Sequence, residues 1–257
     1  MLINAVILIL REVLEAALII SVLLALSERL ELSKTWFAKG IVVGVIGAVL
    51  YADNLSLVSN LFDGIGQEIV NVTLYSLIFV LISVLIAAFK KSHSYNLISF
   101  FMLSCVALSI VREGSEIIVY IEGFINIPDL LYSVLIGSSI GAGIGMSIGV
   151  FIYYLIINLP SRYGVGLGLL LLVFIAAGMV SQATQLLLQA DLIVSQEPLW
   201  DTSMWVSEHS LWGEILFALM GYEATPTPIQ VGLYITSIAL TGKLAMNSLK
   251  SYQKKQG

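Results

Sequence analysis

The sequence predicts an all-α, polytopic membrane protein: seven transmembrane helices, arranged as a 3+3 inverted repeat plus one C-terminal helix, with the N-terminus outside. Three observations carry that reading. The 257 residues are 58% hydrophobic and only 11% charged, with a mean hydropathy of +0.97, whereas a soluble domain is roughly a quarter charged. The apolar residues gather into runs of the ~20 residues or more that a helix needs to cross a bilayer, without the short alternation of barrel strands. The basic residues between those runs fall on one side only. A soluble globule, a disordered chain and a nucleic-acid binder are thereby excluded. The single cysteine excludes a disulfide scaffold and a cysteine-based zinc site.

The first run, 2–27, lacks a basic leader and holds Arg11 and Glu12 inside its apolar stretch, so it reads as a spanning helix rather than a cleaved signal. The second, 38–60, carries Gly40, Gly44 and Ala48 at a spacing of four, a small-residue face for close helix packing. The third, 66–89, opens near Glu68, and the fourth, 96–121, contains Arg112, Glu113 and Glu116. The fifth, 131–158, repeats the small-residue face with Gly137, Gly141, Gly145 and Gly149, and the sixth covers 163–190. Residues 191–227 make a long outer loop, in which 204–220 is expected to be an amphipathic interfacial helix anchored by tryptophans. The seventh run, 228–249, follows Pro226 and Pro228. The chain is read as one transmembrane domain, 1–257, made of repeats 1–92 and 93–190, the loop 191–227 and the seventh helix.

Ten of the twelve Lys and Arg residues lie in alternate loops or at the C-terminus, among them Arg29, Lys34, Lys90, Lys91 and Arg162. The positive-inside rule places those loops in the cytoplasm. The other two, Arg11 and Arg112, are within the spans. Eleven acidic residues fall on or near the opposite face. A negative outer face concentrates cations at the mouth of a path.

Arg11-Glu12-Val13-Leu14-Glu15 matches Arg112-Glu113-Gly114-Ser115-Glu116 at an offset of 101 residues, and the same offset carries Gly40, Gly44 and Ala48 onto Gly141, Gly145 and Gly149. Two features at one offset indicate duplication of a three-helix unit. An odd number of helices per unit makes the halves run oppositely, and such folds hold substrate near the midplane. The spacings of three and four put each Arg and its two Glu on one helix face. Arg11 is expected to pair with Glu15, leaving Glu12 free to point into a cavity, with Arg112, Glu113 and Glu116 repeating the arrangement. Charged residues inside a span are costly and mark ion pathways. A plain ion-pair clamp is the other reading, but two Glu per Arg leave negative charge that a clamp does not need. Four carboxylates without nearby Cys or His make a hard, oxygen-donor site. On residue chemistry alone this is a cation transporter of unspecified metal. Manganese and magnesium are among the candidates, and an exchange mechanism remains open beside uptake. The hydrolase-like pattern Gly137-Ser138-Ser139-Ile140-Gly141 lacks a base, since His93 and His209 lie in loops on opposite sides.

The two Arg-Glu-x-x-Glu copies resemble the mark of the oxidase-dependent iron permeases, the high-affinity iron transporters of bacteria and yeast. In that family the motif reads Arg-Glu-Gly-Leu-Glu in the first and fourth helices. Val13 and Ser115 depart only at spacers. The family's acidic Glu-x-x-Glu at the start of helix three is similar to Glu68-Ile69-Val70-Asn71, with Asn71 in place of the second acid. Trp200-Asp201-Thr202-Ser203, then Glu208-His209-Ser210 and Gly221-Tyr222, resemble the last outer loop of bacterial members. The resemblance spans essentially the whole chain. It implies import of iron ions across the cytoplasmic membrane, with Glu12, Glu15, Glu113, Glu116 and Glu68 as metal ligands and Arg11 and Arg112 as charge partners. Iron would be a transported substrate rather than a cofactor, and no enzymatic activity is implied. It further implies an oxidase or an extracytoplasmic iron-binding protein as partner. In the outer loop, tryptophan anchoring stands beside a metal funnel formed by Asp201, Glu208, His209 and Glu214.

Overall fold

A computed structural model describes residues 2–89, 95–208 and 210–256. The basic loop residues Lys90 and Lys91, together with His93 and His209, lie outside them. The described residues form helices and no strand. The first, α1, runs Leu2–Arg29, followed by α2 Thr35–Asp53, α3 Leu55–Ser59, a 3-10 turn Phe62–Gly64, and α4 Gly66–Ala88. Then come α5 Tyr95–Glu122, α6 Pro128–Asn158, α7 Ser161–Gln189, α8 Leu211–Met220 and α9 Pro228–Gln256. Six of these, α2, α4, α5, α6, α7 and α9, are long and apolar enough to cross a membrane. α1 has the length, 28 residues, but carries three charges, Arg11, Glu12 and Glu15, near its middle.

The helical surface is the reverse of a soluble protein's. Val42, Val43, Val45, Ile46, Val49 and Leu50 of α2 are exposed, as are Ile136, Ile140, Ile144 and Phe151 of α6. A continuous apolar exterior of this kind is stable only against another apolar phase, so the chain is a multi-pass membrane protein.

Two expectations need correction. The run 38–60 is not one helix: α2 stops at Asp53. There Asn54 leaves helical geometry at φ −102° and ψ 11° and serves as the junction to the short α3, its Nδ2 donating to the Leu50 carbonyl at 2.8 Å; beyond α3, Phe62, Asp63 and Gly64 take positive φ. The interfacial helix is also shorter than 204–220. Ser210 caps α8 by accepting from the Gly213 N–H at 3.0 Å, and Gly221 ends it at φ 66°, the left-handed conformation glycine adopts without penalty.

The two most extensive helix contacts are α1 along α6 and α2 along α5, and both pairs run parallel. Glycine sets their closeness. A Cβ on Gly141 would overlap the Val6 carbonyl oxygen and come within 2.9 Å of the Leu10 nitrogen, and one on Gly44 would lie 2.7 Å from the Ile110 Cβ. α7 occupies the centre, against α9, α4, α8 and α1. Leu14, Leu18, Val22 and Leu26 of α1 and Ile78, Ile82 and Leu85 of α4 fill the interior with Leu172 and Ala176 of α7. At one end Arg29 closes α6, its Nη2 donating to the carbonyls of Ile157 and Leu159 at 2.6 Å each, a cation at a helix C-terminus. α8 folds back onto α1 and α7 beside Arg11. These contacts bring α1, α4, α5, α7 and α8 around the charged middle of α1.

Candidate metal-transit site

The motif residues on α1 and α5 meet where the two helices cross. Arg112 is buried, and its guanidinium serves three carboxylates. Nη1 reaches Glu12 Oε2 at 2.9 Å and also binds Glu113, while Nη2 reaches Glu116 Oε1 at 3.0 Å. The Tyr75 ring of α4 lies 4.7 Å from the guanidinium carbon, a cation–π contact in a region sheltered from water. Glu12, expected to stand free, is therefore held by the arginine of the opposite copy. The physical reason is reach. Helix-local spacing fixes only the i,i+4 neighbour, whereas the crossing of α1 and α5 brings a second guanidinium within hydrogen-bond distance.

The two copies are not equivalent. Arg11 lies 3.4 Å from Glu15 Oε1, but its other contacts turn outward to α8: Glu214 Oε2 at 3.8 Å and the Phe217 ring at 4.0 Å. Glu15 is 2% exposed, and its second oxygen accepts from Gln182 Nε2 of α7 at 3.0 Å. Four buried or half-buried carboxylates thus share two guanidinium groups, and the excess is negative.

A cavity of about 280 Å³ opens beside this cluster, lined by Glu12 of one copy and Glu116 of the other, with Tyr51, Gln67, Asn71, Ser115 and Tyr120. Asn71, at the position of the missing acid, is in the lining, and its Oδ1 accepts from the Tyr51 hydroxyl at 3.3 Å. An amide oxygen still offers a hard donor there. Glu68 is half-buried in the first turn of α4 and is not among the lining residues; its Oε2 is enclosed and has no hydrogen bond among the described residues. Among the described residues, no group of three or more His, Cys, Asp or Glu side chains is disposed to hold a metal ion. The arginines occupy the positions between the carboxylates.

The outer-loop candidates divide. Asp201 is exposed and turns the loop by accepting from the Ser203 N–H at 2.8 Å; the Ser203 hydroxyl and N–H hold its carboxyl below the usual range. Glu208 Oε1 accepts from the Ala224 N–H at 2.6 Å. Glu208, Glu214 and Glu223 converge with Arg11, Gln185 and Phe217 on a space of about 40 Å³. Burial pushes the carboxyls of Glu214 and Glu223 up to about 7, against the opposing pull of Arg11. Glu223 also accepts from Gln230. His209 lies outside the described residues. Trp205 and Trp212 are exposed, as anchors in a membrane interface would be.

Gln182, Tyr75, Phe217 and Glu223 are site residues that sequence reasoning did not single out. The signal for Gln182 was present: Ser181-Gln182-Ala183-Thr184-Gln185 is a polar run inside an otherwise apolar span. Tyr75 gave none, since an aromatic in a span is ordinarily packing.

The comparisons with curated proteins and with solved structures find no match. A family model described as the iron permease FTR1 family matches residues 2–249, nearly the entire chain. The chain therefore belongs to the iron permease FTR1 family, a family of membrane transporters of iron.

Proposed function

We propose that this permease imports iron across the cytoplasmic membrane through its two Arg-Glu-x-x-Glu motifs, with Glu12, Glu15, Glu113 and Glu116 as the ion's ligands in transit. The observation that carries this reading is Arg112, which links Glu12 of one copy to Glu113 and Glu116 of the other beside a cavity that both copies line. Without an ion, the guanidinium groups stand in as tethered counter-ions. An incoming cation competes with Arg112 for the same oxygens, and the departing arginine carries its charge away from the ion. An all-oxygen site suits a hard cation. Glu68 serves at the approach, and the acids of 191–227 gather cations above it.

The reading includes a topology: α1 as a seventh span, the N-terminus outside, and a single permease domain whose two three-helix units are inverted repeats. Its support is the exchange of helices. α1 packs parallel to α6 as α5 packs parallel to α2, the pairing a pseudo-two-fold axis between the units would generate. α1 also runs beside α6 from Gly137 near Leu2 to Ile157 near Arg29, the length of a spanning helix. An oxidase or an extracytoplasmic iron-binding protein would dock on the outer loop.

The test is initial uptake of iron, normalised to inserted protein, in Glu12→Gln, Glu116→Gln and the double variant. Each single change should remove most uptake, and the double should add little, as for residues acting as one unit. Multiplicative losses would point to separate sites. Preference for manganese over iron in the same assay would favour a manganese transporter of the same construction.

A further inference from the structure

Gln182 is 5% exposed and lies in the last third of α7. A carboxylate has no hydrogen to donate, so the amide must turn its NH2 toward Glu15. Its Oε1 then faces away from that contact, is enclosed, and has no hydrogen bond among the described residues. Glu113 Oε1 and the Tyr75 hydroxyl are among the other buried oxygens that share this condition among the described residues. Glu113 is 1% exposed, and its charge lies close enough to Glu15 for the two to interact. Tyr75 stacks on the arginine that holds Glu113. Glu15, Tyr75, Glu113 and Gln182 thus come from α1, α4, α5 and α7, one from each helix. None of them lines the cavity at Glu12 and Glu116. Enclosed oxygens without hydrogen bonds are costly, and these three belong to side chains tied to the motif residues, Gln182 through Glu15 and Tyr75 and Glu113 through Arg112.

We infer that Gln182 is a ligand of the transported ion: its Oε1, with Glu15 and Glu113, forms an occluded second station distinct from the cavity at Glu12 and Glu116. This rests on the iron-permease reading of the same motifs and adds to it a neutral donor and a second position. The amide oxygen is hard, as the carboxylates are, but uncharged. It completes coordination without adding negative charge, and affinity of an oxygen site rises with the charge of its ligands. A station of two carboxylates and one amide holds the ion and still releases it. The N–H bond to Glu15 fixes the amide, so Oε1 is presented without a search over rotamers.

Uptake of radioactive iron, supplied in the ferrous and in the ferric state, is measured against concentration in vesicles containing wild type, Q182M, Q182N or Q182E. Q182M removes donor and acceptor together. Q182E keeps the oxygens and gives up the N–H. The half-saturating iron concentration should rise tenfold or more in Q182M and several-fold in Q182N. It should stay within threefold of wild type in Q182E, whose maximal rate falls because the more negative station releases the ion slowly. If Gln182 only orients Glu15, Q182E is impaired as much as Q182M, and the proposal is overturned. It is equally overturned if Q182M saturates as wild type does. Should Q182M fail to insert, Q182N against Q182E decides on the same terms. Failure of the iron-permease reading has another signature: wild type moves no iron in either state, or uptake ignores Glu12→Gln, and the station then falls with it.

Discussion

Replacing Arg112 by methionine tests the hub of the site. Arg112 is 6% exposed and holds Glu12, Glu113 and Glu116. Methionine keeps the unbranched apolar stem, ends short of the guanidinium, and leaves those carboxylates without their cation. Breaking a buried pair by removing one partner costs about 3–5 kcal/mol. For a chain of this size 1 kcal/mol moves a melting temperature by about 2–4 °C, so the drop should be roughly 6–20 °C. The decisive measurement is a cycle with Glu12→Gln, read as thermal unfolding of the detergent-solubilised protein. In wild type, Glu12→Gln takes from Arg112 one of its three partners and should lower stability by about 1 kcal/mol. In the Arg112→Met background the same change removes an uncompensated buried charge and should raise stability. The sign reverses because the two side chains are coupled. An equal effect of Glu12→Gln in both backgrounds would refute the claim that Arg112 holds Glu12, and with it the account of why the carboxylates stay together without an ion.

Other expectations follow from the same geometry. Gly141→Ala should lower stability by about 1–3 kcal/mol through overpacking against Val6 and Leu10 of α1, while Gly143→Ala, where a Cβ meets nothing within 4 Å, should be neutral or slightly stabilising; equal melting temperatures would refute the close α1–α6 contact. Glu214 and Glu223 have carboxyls raised to about 7 from an ordinary 4.5, so the folded chain binds more protons between those values, and stability should fall as pH rises from 5 to 8. Arg11, Glu15 and Glu208 face these groups. With His209→Gln throughout to silence that imidazole, Glu214→Gln with Glu223→Gln should flatten the slope, and an unchanged slope counts against their burial beside Arg11. For orientation, Ser195→Cys should react with an impermeant thiol reagent in intact cells, and Ser33→Cys only after permeabilisation; Cys105 is fully buried and should stay silent. The reverse pattern overturns an outside N-terminus.

Much of the architecture was legible in the chain because insertion into lipid is decided locally. Each apolar run of sufficient length declares a span, whatever its neighbours do, and α4, α5, α6, α7 and α9 lie where their runs predict. The break after Asp53 is not legible from hydropathy because 38–60 is apolar enough to continue; the stop lies in the backbone conformation of a single residue, Asn54, which hydropathy cannot register. The Arg-Glu-x-x-Glu copies were equally legible, since spacings of three and four fix neighbours on one helix face.

Which arginine serves which carboxylate belonged to the tertiary structure. Glu12 and Arg112 are 100 residues apart, and Gln182 and Glu15 are 167 apart. Their meeting depends on the crossing of α1, α5 and α7, and glycines bring α1 close to α6 and α5 close to α2. The sequence alone made the two motifs look equal. Only the fold made them different, because α8, in the segment between α7 and α9, folds back to meet Arg11 with Glu214 and Phe217, while Arg112 is enclosed by Tyr75 and its three carboxylates. Local patterning determines which residues share a helix face; which faces then meet is a sum of many weak packing contacts over the whole molecule, and no window of sequence contains it.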